Sequence, residues 1–157
     1  SNNGIYLVPA FTGLGAPHWD ASARGLLSGL TRDTGPKEII RATIESVAYQ
    51  TYDLFEAMKN DGLKPKLIKV DGGMVLNNWF SQFLSDTINA KVLRPKVNET
   101  TGLGAAFMAG LQIGVYKSLK DIAKNWKEDK SFSPKIKNTK RKILIEGWNK
   151  AIKKALA

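Results

Sequence analysis

A short apolar segment that ends in Asp-Gly-Gly carries the most informative chemistry in this sequence. Residues 67–70 read Leu-Ile-Lys-Val, Asp71-Gly72-Gly73 follows, and a helical pattern starts near Asn77. A strand that breaks sharply before a helix leaves backbone amides and a helix N-terminus at its carboxyl end, where α/β sheets bind ligands such as phosphates. Glycine lets a phosphate approach those amides because it has no Cβ, and Asn77 offers a donor and an acceptor to a base or ribose. The alternative is a tight turn whose glycines only allow positive φ.

Neither standard nucleotide motif accompanies this turn. The chain contains no Gly-Lys-Ser/Thr element, and no glycine cluster extends to G-x-G-x-x-G. A nucleotide at Gly72 and Gly73 would therefore be held in another way.

Two further groups of residues are candidates for chemistry. The loop from Pro9 to Asp20 gathers glycines around His18, a composition that fits an active-site lid or a buried structural corner. We favour structure, because a lone histidine is more often a hydrogen-bonded packing residue than a catalyst. Glu38 and Glu45 share one helical face, and we expect them to be solvated or paired with a base such as Arg41.

The composition excludes several classes of site. The chain has no cysteine and only one histidine, so thiolate catalysis, disulfides, zinc ribbons and histidine metal clusters cannot be built within it. No apolar stretch approaches the length of a membrane span, and the N-terminal residues lack the pattern of a signal peptide. We therefore expect a cytoplasmic location.

Almost all of the net charge of +10 lies in the C-terminal part of the chain. Residues 117–157 hold 13 Lys/Arg against 4 Asp/Glu, whereas residues 1–116 hold 11 against 10. These basic residues are mostly lysines without the arginines and interleaved aromatics that read or stack on bases. We therefore interpret the C-terminal part as a solvated lysine-rich face. A nucleic-acid-binding module, a protein class different from an enzyme, is the alternative.

The elements that must position the turn follow from periodicity. A helix should begin at Gly35-Pro36 and end at 60–62, with an apolar stripe packed against a sheet: Ile40, Ile44, Val47, Thr51, Leu54 and Met58. A second helix follows the glycines, residues 91–94 form the next strand, and a third helix starts near Thr100 or Thr101. This alternation predicts a parallel sheet with helices on its faces. Its strands are few, so we expect others from an earlier part of the chain.

The C-terminal region predicts a polar segment and a docking helix. Residues 127–140 are polar, and a helix then places Ile145, Trp148, Ile152 and Leu156 on one side. We expect Trp148 to be buried against the preceding elements.

Four segments read as motifs: PAFTGLGAPHWD (9–20), ARGLLSGLTRD (23–33), IIRATIESVAYQT (39–51) and VDGGMVLNNWF (70–80). Together they resemble the FGGY family of carbohydrate kinases, and the resemblance covers essentially the whole chain. Within that family, the first segment favours members that phosphorylate glycerol over those that act on other sugars. Three positions depart from the pattern: His18 replaces a tyrosine, while Met74 and Gly102 replace alanines. Met74 lies beside the turn, where a larger side chain would narrow an adenine slot.

The resemblance implies an α/β fold of the ribonuclease-H-like, actin-like ATPase type, in which two domains close around the nucleotide and the sugar alcohol. Residues 1–115 would be most of the second domain, which is incomplete, and residues 116–157 a basic C-terminal extension with a docking helix. The remaining partner would be the N-terminal half of the same kinase, and assembly into a homo-oligomer stays open.

The resemblance also implies roles for the residues of the turn. Gly73 would offer its amide to the phosphates of ATP or ADP, Asn77 would contact the adenine end, and Gly72 would set the conformation of the turn. Mg would accompany the nucleotide without a ligand identified in this chain. Glycerol and the general base would be held by sequence that precedes the chain, so no catalytic residue is assigned here.

Overall fold

Five short strands form two separate sheets in the computed structural model, which describes residues 1–157. β1 (Tyr6–Val8) and β2 (Leu26–Ser28) pair antiparallel. β3 (Leu67–Lys69), β4 (Lys91–Pro95) and β5 (Glu128–Phe132) form a three-stranded sheet with β4 in the centre. The strand predicted after residue 66 and the one predicted at residues 91–94 are therefore present.

The larger sheet is mixed rather than parallel throughout. β3 and β4 run parallel, as predicted, and α2 (Asn78–Ile88) connects them. β5 pairs antiparallel with the other edge of β4 and lies in the segment predicted to be only polar. The segment is polar as predicted, but the strand was not predicted, because β5 is an exposed edge strand whose one buried residue is Phe132 and its sequence lacks the apolar alternation of a half-buried strand.

Four more helices complete the chain: α1 (Pro36–Asn60), α3 (Thr100–Gln112), α4 (Leu119–Ala123) and α5 (Asn138–Ala155). The predicted limits of α1 are confirmed, and its N-terminus is closed by the Glu38 carboxylate, which accepts from the Gly35 N–H at 3.0 Å. The start of α3 at Thr100 is confirmed, whereas α4 was not predicted. No helix combines the length and the hydropathy that a membrane span requires.

Most of the apolar stripe of α1 that was predicted to pack against a sheet is exposed, although Ile44 is half-buried against the core. Ile40 is 60% exposed, and Val47, Leu54 and Met58 are exposed as well. The buried residues lie on the opposite side of the helix: Ala42, Glu45, Ser46, Ala48, Tyr49, Asp53 and Phe55. Small side chains allow α1 a close approach to its neighbours, and hydrogen bonds compensate its buried polar groups, so counting apolar residues alone selects the wrong face.

The core lies where α1, α2 and α5 meet β1. The Tyr49 ring stacks on the Trp148 ring with centroids 5.3 Å apart and meets the edge of Phe83 at 5.6 Å. Trp148 has no exposed surface, which confirms the prediction that the last helix docks on the preceding elements. Burial of these rings fixes the position of α1 relative to α2. The Asp-Gly-Gly turn is therefore positioned as well, because it leads directly into α2.

Candidate nucleotide site at the Asp-Gly-Gly turn

The Asp-Gly-Gly turn lies at the carboxyl end of β3, as the sequence predicts. Gly72 has a φ of 87°, a value that side chains with a Cβ rarely adopt, and the chain then winds into a 3₁₀ turn over Gly73–Leu76. Asn77 ends this turn and caps α2. The conformation of Gly72 therefore makes the change of direction between strand and helix.

The turn lies beside the start of α3. The Gly72 N–H donates to the Asn98 carbonyl at 3.1 Å, and the Thr100 hydroxyl donates to the Asp71 carboxylate. The residue before α3, Glu99, makes no side-chain capping bond. The first N–H groups of a helix have no partner within the helix, so the uncapped amide donors at the start of α3 lie beside the turn, at the ends of the parallel strands. This arrangement is suited to an anion.

Gly73 is open to solvent. A Cβ built at this position would meet no heavy atom within 4 Å, so the protein itself does not require glycine there. Met74, the next residue, is also exposed. The space above the Gly73 backbone is free for a bound group.

The Asn77 side chain has one end engaged and one end free. Its Oδ1 accepts from the N–H groups of Trp79 at 2.9 Å and Phe80 at 3.2 Å, which satisfies the N-terminus of α2. The sequence predicted both a donor and an acceptor for a ligand, but the acceptor is used as a helix cap. The Nδ2 amino group is what Asn77 can offer to a base or ribose.

Arg94 donates hydrogen bonds to carbonyl groups of the 3₁₀ turn, a role that was not predicted from the sequence. The residue is only 8% exposed at the end of β4, and its Nη1 donates to the Val75 carbonyl at 2.9 Å and the Leu76 carbonyl at 3.1 Å. The same nitrogen lies 3.1 Å from Asn78 Oδ1. The signal in the sequence is one arginine at the end of an apolar strand, directly before Pro95.

The glycine-rich loop from Pro9 to Asp20 is anchored through its histidine. His18 Nε2 lies 3.1 Å from Asp53 Oδ2, which agrees with the prediction of a hydrogen-bonded packing residue. Burial raises the pKa of the Asp53 carboxyl, while the hydrogen bonds from His18 and Trp148 act in the opposite direction. Phe11 and Trp19 remain exposed on the loop.

The two glutamates of α1 have structural roles. Glu45 is buried and accepts hydrogen bonds from Arg41 Nε at 2.6 Å, Asn2 Nδ2 at 2.8 Å and the Tyr49 hydroxyl at 3.1 Å. Glu38 closes the N-terminus of α1. The predicted pairing with Arg41 is therefore confirmed for Glu45.

Residues 1–113 match the FGGY family of carbohydrate kinases, C-terminal domain. The chain belongs to this family. It is 51% identical over 156 residues to the glycerol kinase of Gluconobacter oxydans, covering 99% of this chain and 30% of that protein. It is 54% identical over 153 residues to glycerol kinase 1 of Pseudomonas aeruginosa, covering 98% and 31%. The chain thus spans about a third of the length of these relatives.

Solved structures agree in fold. The glycerol kinase of Plasmodium falciparum with ADP superposes with a TM-score of 0.85 at 36% identity, covering all of this chain and 32% of that one. The gluconate kinase of Lactobacillus acidophilus gives a TM-score of 0.72 at 29% identity, covering 92% and 29%. The predicted α/β fold of the actin-like, ribonuclease-H-like type is confirmed by these neighbours.

Proposed function

We propose that the full-length protein is a glycerol kinase, which transfers the γ-phosphoryl group of ATP to a terminal hydroxyl of glycerol. The observation that carries the proposal is the continuous identity, 51% and 54%, with glycerol kinases over almost the whole chain. Likeness to kinases of other sugars is weaker, with 29% identity to the gluconate kinase and 28% to a xylulose kinase. Another FGGY sugar kinase is therefore the second candidate.

In this proposal the chain supplies one wall of the nucleotide site. Gly73 offers its backbone to the phosphates, Gly72 sets the turn, and the Asn77 amino group meets the adenine end. Three observations support these roles: the uncapped start of α3 beside the turn, the open space above Gly73, and the ADP named with the similar Plasmodium falciparum enzyme. Phosphoryl transfer relies on positioning and charge stabilisation, which such a wall provides.

The residues of the turn do not fit a magnesium ion. Mg prefers an octahedron of oxygen ligands, whereas the turn presents N–H groups. Its one carboxylate, that of Asp71, accepts from Thr100, and no group of three or more acidic or histidine side chains in the chain is arranged to hold a metal. Mg-ATP would therefore take its metal ligands, and glycerol its general base, from the rest of the full-length protein.

A substrate comparison tests the proposal. Purified full-length protein is assayed for ADP formation with ATP and glycerol, xylulose or gluconate at matched concentrations. We expect kcat/KM for glycerol to exceed the other two by at least about a hundredfold, because a site built around a three-carbon substrate excludes the longer chains of xylulose and gluconate by steric clash. A preference for xylulose or gluconate would contradict the glycerol assignment and favour the second candidate.

The same assay on the isolated 157-residue chain tests whether the rest of the full-length protein is required for catalysis. We expect no turnover, since the proposal places the general base and the glycerol contacts elsewhere. Measurable phosphorylation of glycerol by the pure chain would contradict that division.

A further inference from the structure

All three guanidinium nitrogens of Arg94 make contacts, with Asp129 on one side and with the 3₁₀ turn and Asn78 on the other. Nε and Nη2 lie 2.8 and 2.7 Å from the same Asp129 oxygen on β5. Nη1 faces the opposite way and reaches the carbonyls of Val75 and Leu76. One buried side chain therefore links the edge strand of the sheet to the 3₁₀ turn.

The acceptors of Nη1 lie between the two residues proposed to meet the nucleotide. Val75 and Leu76 are the last two residues of the turn that starts at Gly73, and Asn77 follows directly. Carbonyls at the end of a 3₁₀ turn have no partner within the turn, so external donors fix their direction. Arg94 donates to both carbonyls, and the Ser81 hydroxyl donates to the Val75 carbonyl as well, at 2.9 Å. The third contact, Asn78 Oδ1, belongs to the first residue of α2.

We propose that Arg94 is a positioning residue for the nucleotide site, a proposal that rests on the proposed function. Arg94 touches the turn only from the protein side and acts through Val75, Leu76 and Asn78. Its planar guanidinium holds two neighbouring carbonyls at a fixed spacing, which sets the distance from the Gly73 amide to the Asn77 amino group. Asp129 balances the buried positive charge and keeps the guanidinium oriented.

Arg94→Lys separates this role from a general contribution to folding. Lysine keeps the charge and reaches Asp129, but a single amine cannot also hold the Val75 and Leu76 carbonyls. We expect the KM for ATP and the Kd for ADP in the full-length protein to rise about tenfold, as for the loss of one or two hydrogen bonds. The KM for glycerol should change less than twofold.

Ser85→Ala is the matched control. Ser85 is fully buried on α2, and its single hydroxyl hydrogen is shared between the Ala90 carbonyl at 2.8 Å and the Phe132 carbonyl at 3.1 Å. Its removal also breaks buried hydrogen bonding to the β4 and β5 region, but none to the turn. We expect a lower melting temperature and unchanged nucleotide constants. Equal effects of the two variants on the Kd for ADP would overturn the proposal.

Asn78→Ala keeps the proposal testable if Arg94→Lys does not fold. This exposed side chain supplies only one of the three acceptors of Nη1, so we expect a two- to fivefold rise in the Kd for ADP with little loss of stability. An unchanged Kd in a folded variant would overturn the proposal.

Calorimetric ADP binding separates this proposal from the choice of substrate. If the wild-type protein binds ADP but does not phosphorylate glycerol, the glycerol assignment fails and a weakened Kd in Arg94→Lys still supports the positioning role. If the wild-type protein binds no ADP, both proposals fail.

Discussion

The indole Nε1 of Trp148 donates hydrogen bonds to both carboxylate oxygens of Asp53, at distances of 3.0 and 2.9 Å. Asp53 lies on α1 and Trp148 on α5, 95 residues apart in sequence. His18 completes the cluster from the glycine-rich loop. Three distant parts of the chain thus meet at one buried carboxylate.

Trp148→Ala should lower the free energy of unfolding by about 3 kcal/mol or more, because it removes a fully buried aromatic side chain and leaves a cavity. Trp148→Phe is the control, since it keeps a ring packed on Tyr49 and loses the hydrogen bonds and part of the ring volume, so it should cost less than the alanine variant. Urea unfolding measures both. A change below about 0.5 kcal/mol for the alanine variant would mean that α5 is not docked.

Asp53 should make stability depend on pH in a definite direction. Burial raises the pKa of its carboxyl in the folded state, so the folded protein binds this proton more tightly than the unfolded chain does. The stabilisation is fully present below the ordinary aspartate pKa of about 4 and is lost as the pH rises through the folded value. The wild type should therefore lose stability relative to Asp53→Asn as the pH rises from about 4.

Measuring unfolding of both proteins between about pH 4 and pH 7 tests this direction. Repeating the pair in a His18→Gln background removes the neighbouring titratable ring and leaves Glu56 as the other charge that raises this pKa. A stability difference that stays constant with pH would contradict the prediction.

Gly73 should be required for the nucleotide and not for the fold. Gly73→Val places a branched side chain where the structure has open space, so we expect unchanged thermal stability and a rise of about tenfold or more in the KM for ATP. Gly73→Ala adds a single methyl group, so its KM for ATP should lie between those of the wild type and the valine variant. The KM for glycerol serves as the internal reference, and an ATP dependence equal to wild type in both variants would make the turn structural.

Asn77 should contribute to stability through its oxygen and to nucleotide binding through its nitrogen. Asn77→Ala removes both, so we expect a loss of about 1 kcal/mol in stability and about 5- to 30-fold weaker nucleotide binding. Asn77→Ser keeps a capping oxygen for α2 and removes the amino group. Its stability should return to wild type while its nucleotide affinity stays low.

Recovery of nucleotide affinity in Asn77→Ser would mean that Asn77 acts only as a helix cap. Because the free group is a donor, its partner on a nucleotide is an acceptor such as a ring nitrogen or ribose oxygen. Asn77→Ala should therefore weaken ATP and a purine triphosphate without the 6-amino group to the same extent.

The sequence predicted the elements that show a regular spacing of apolar residues or that end at proline or glycine. The limits of α1, the strand before Asp71 and the parallel partner at residues 91–94 followed from proline, glycine and apolar runs. The buried face of α1 did not follow, because Glu45 and Asp53 are buried through hydrogen bonds that only the folded chain supplies. The edge strand β5 was missed because it buries so little.

The candidate site was predictable only in outline. Glycine chemistry located the turn, but the division of Asn77 between cap and donor depends on where α2 begins, within one residue. The role of Arg94 depends on the pairing of β4 with β5 and on the approach of the turn to β4. Both are long-range features without a local pattern.

The charge on β5 has a consequence for the behaviour of the protein in concentrated solution. The outer edge of this strand is a row of backbone groups that another chain's strand can join, which is how sheets grow into aggregates. Glu128, Asp129 and Lys130 occupy consecutive exposed positions on it. Charged side chains at an edge discourage such pairing, so variants that replace Glu128 and Lys130 with apolar residues, and keep the Asp129 partner of Arg94, would lose solubility before they lose their fold.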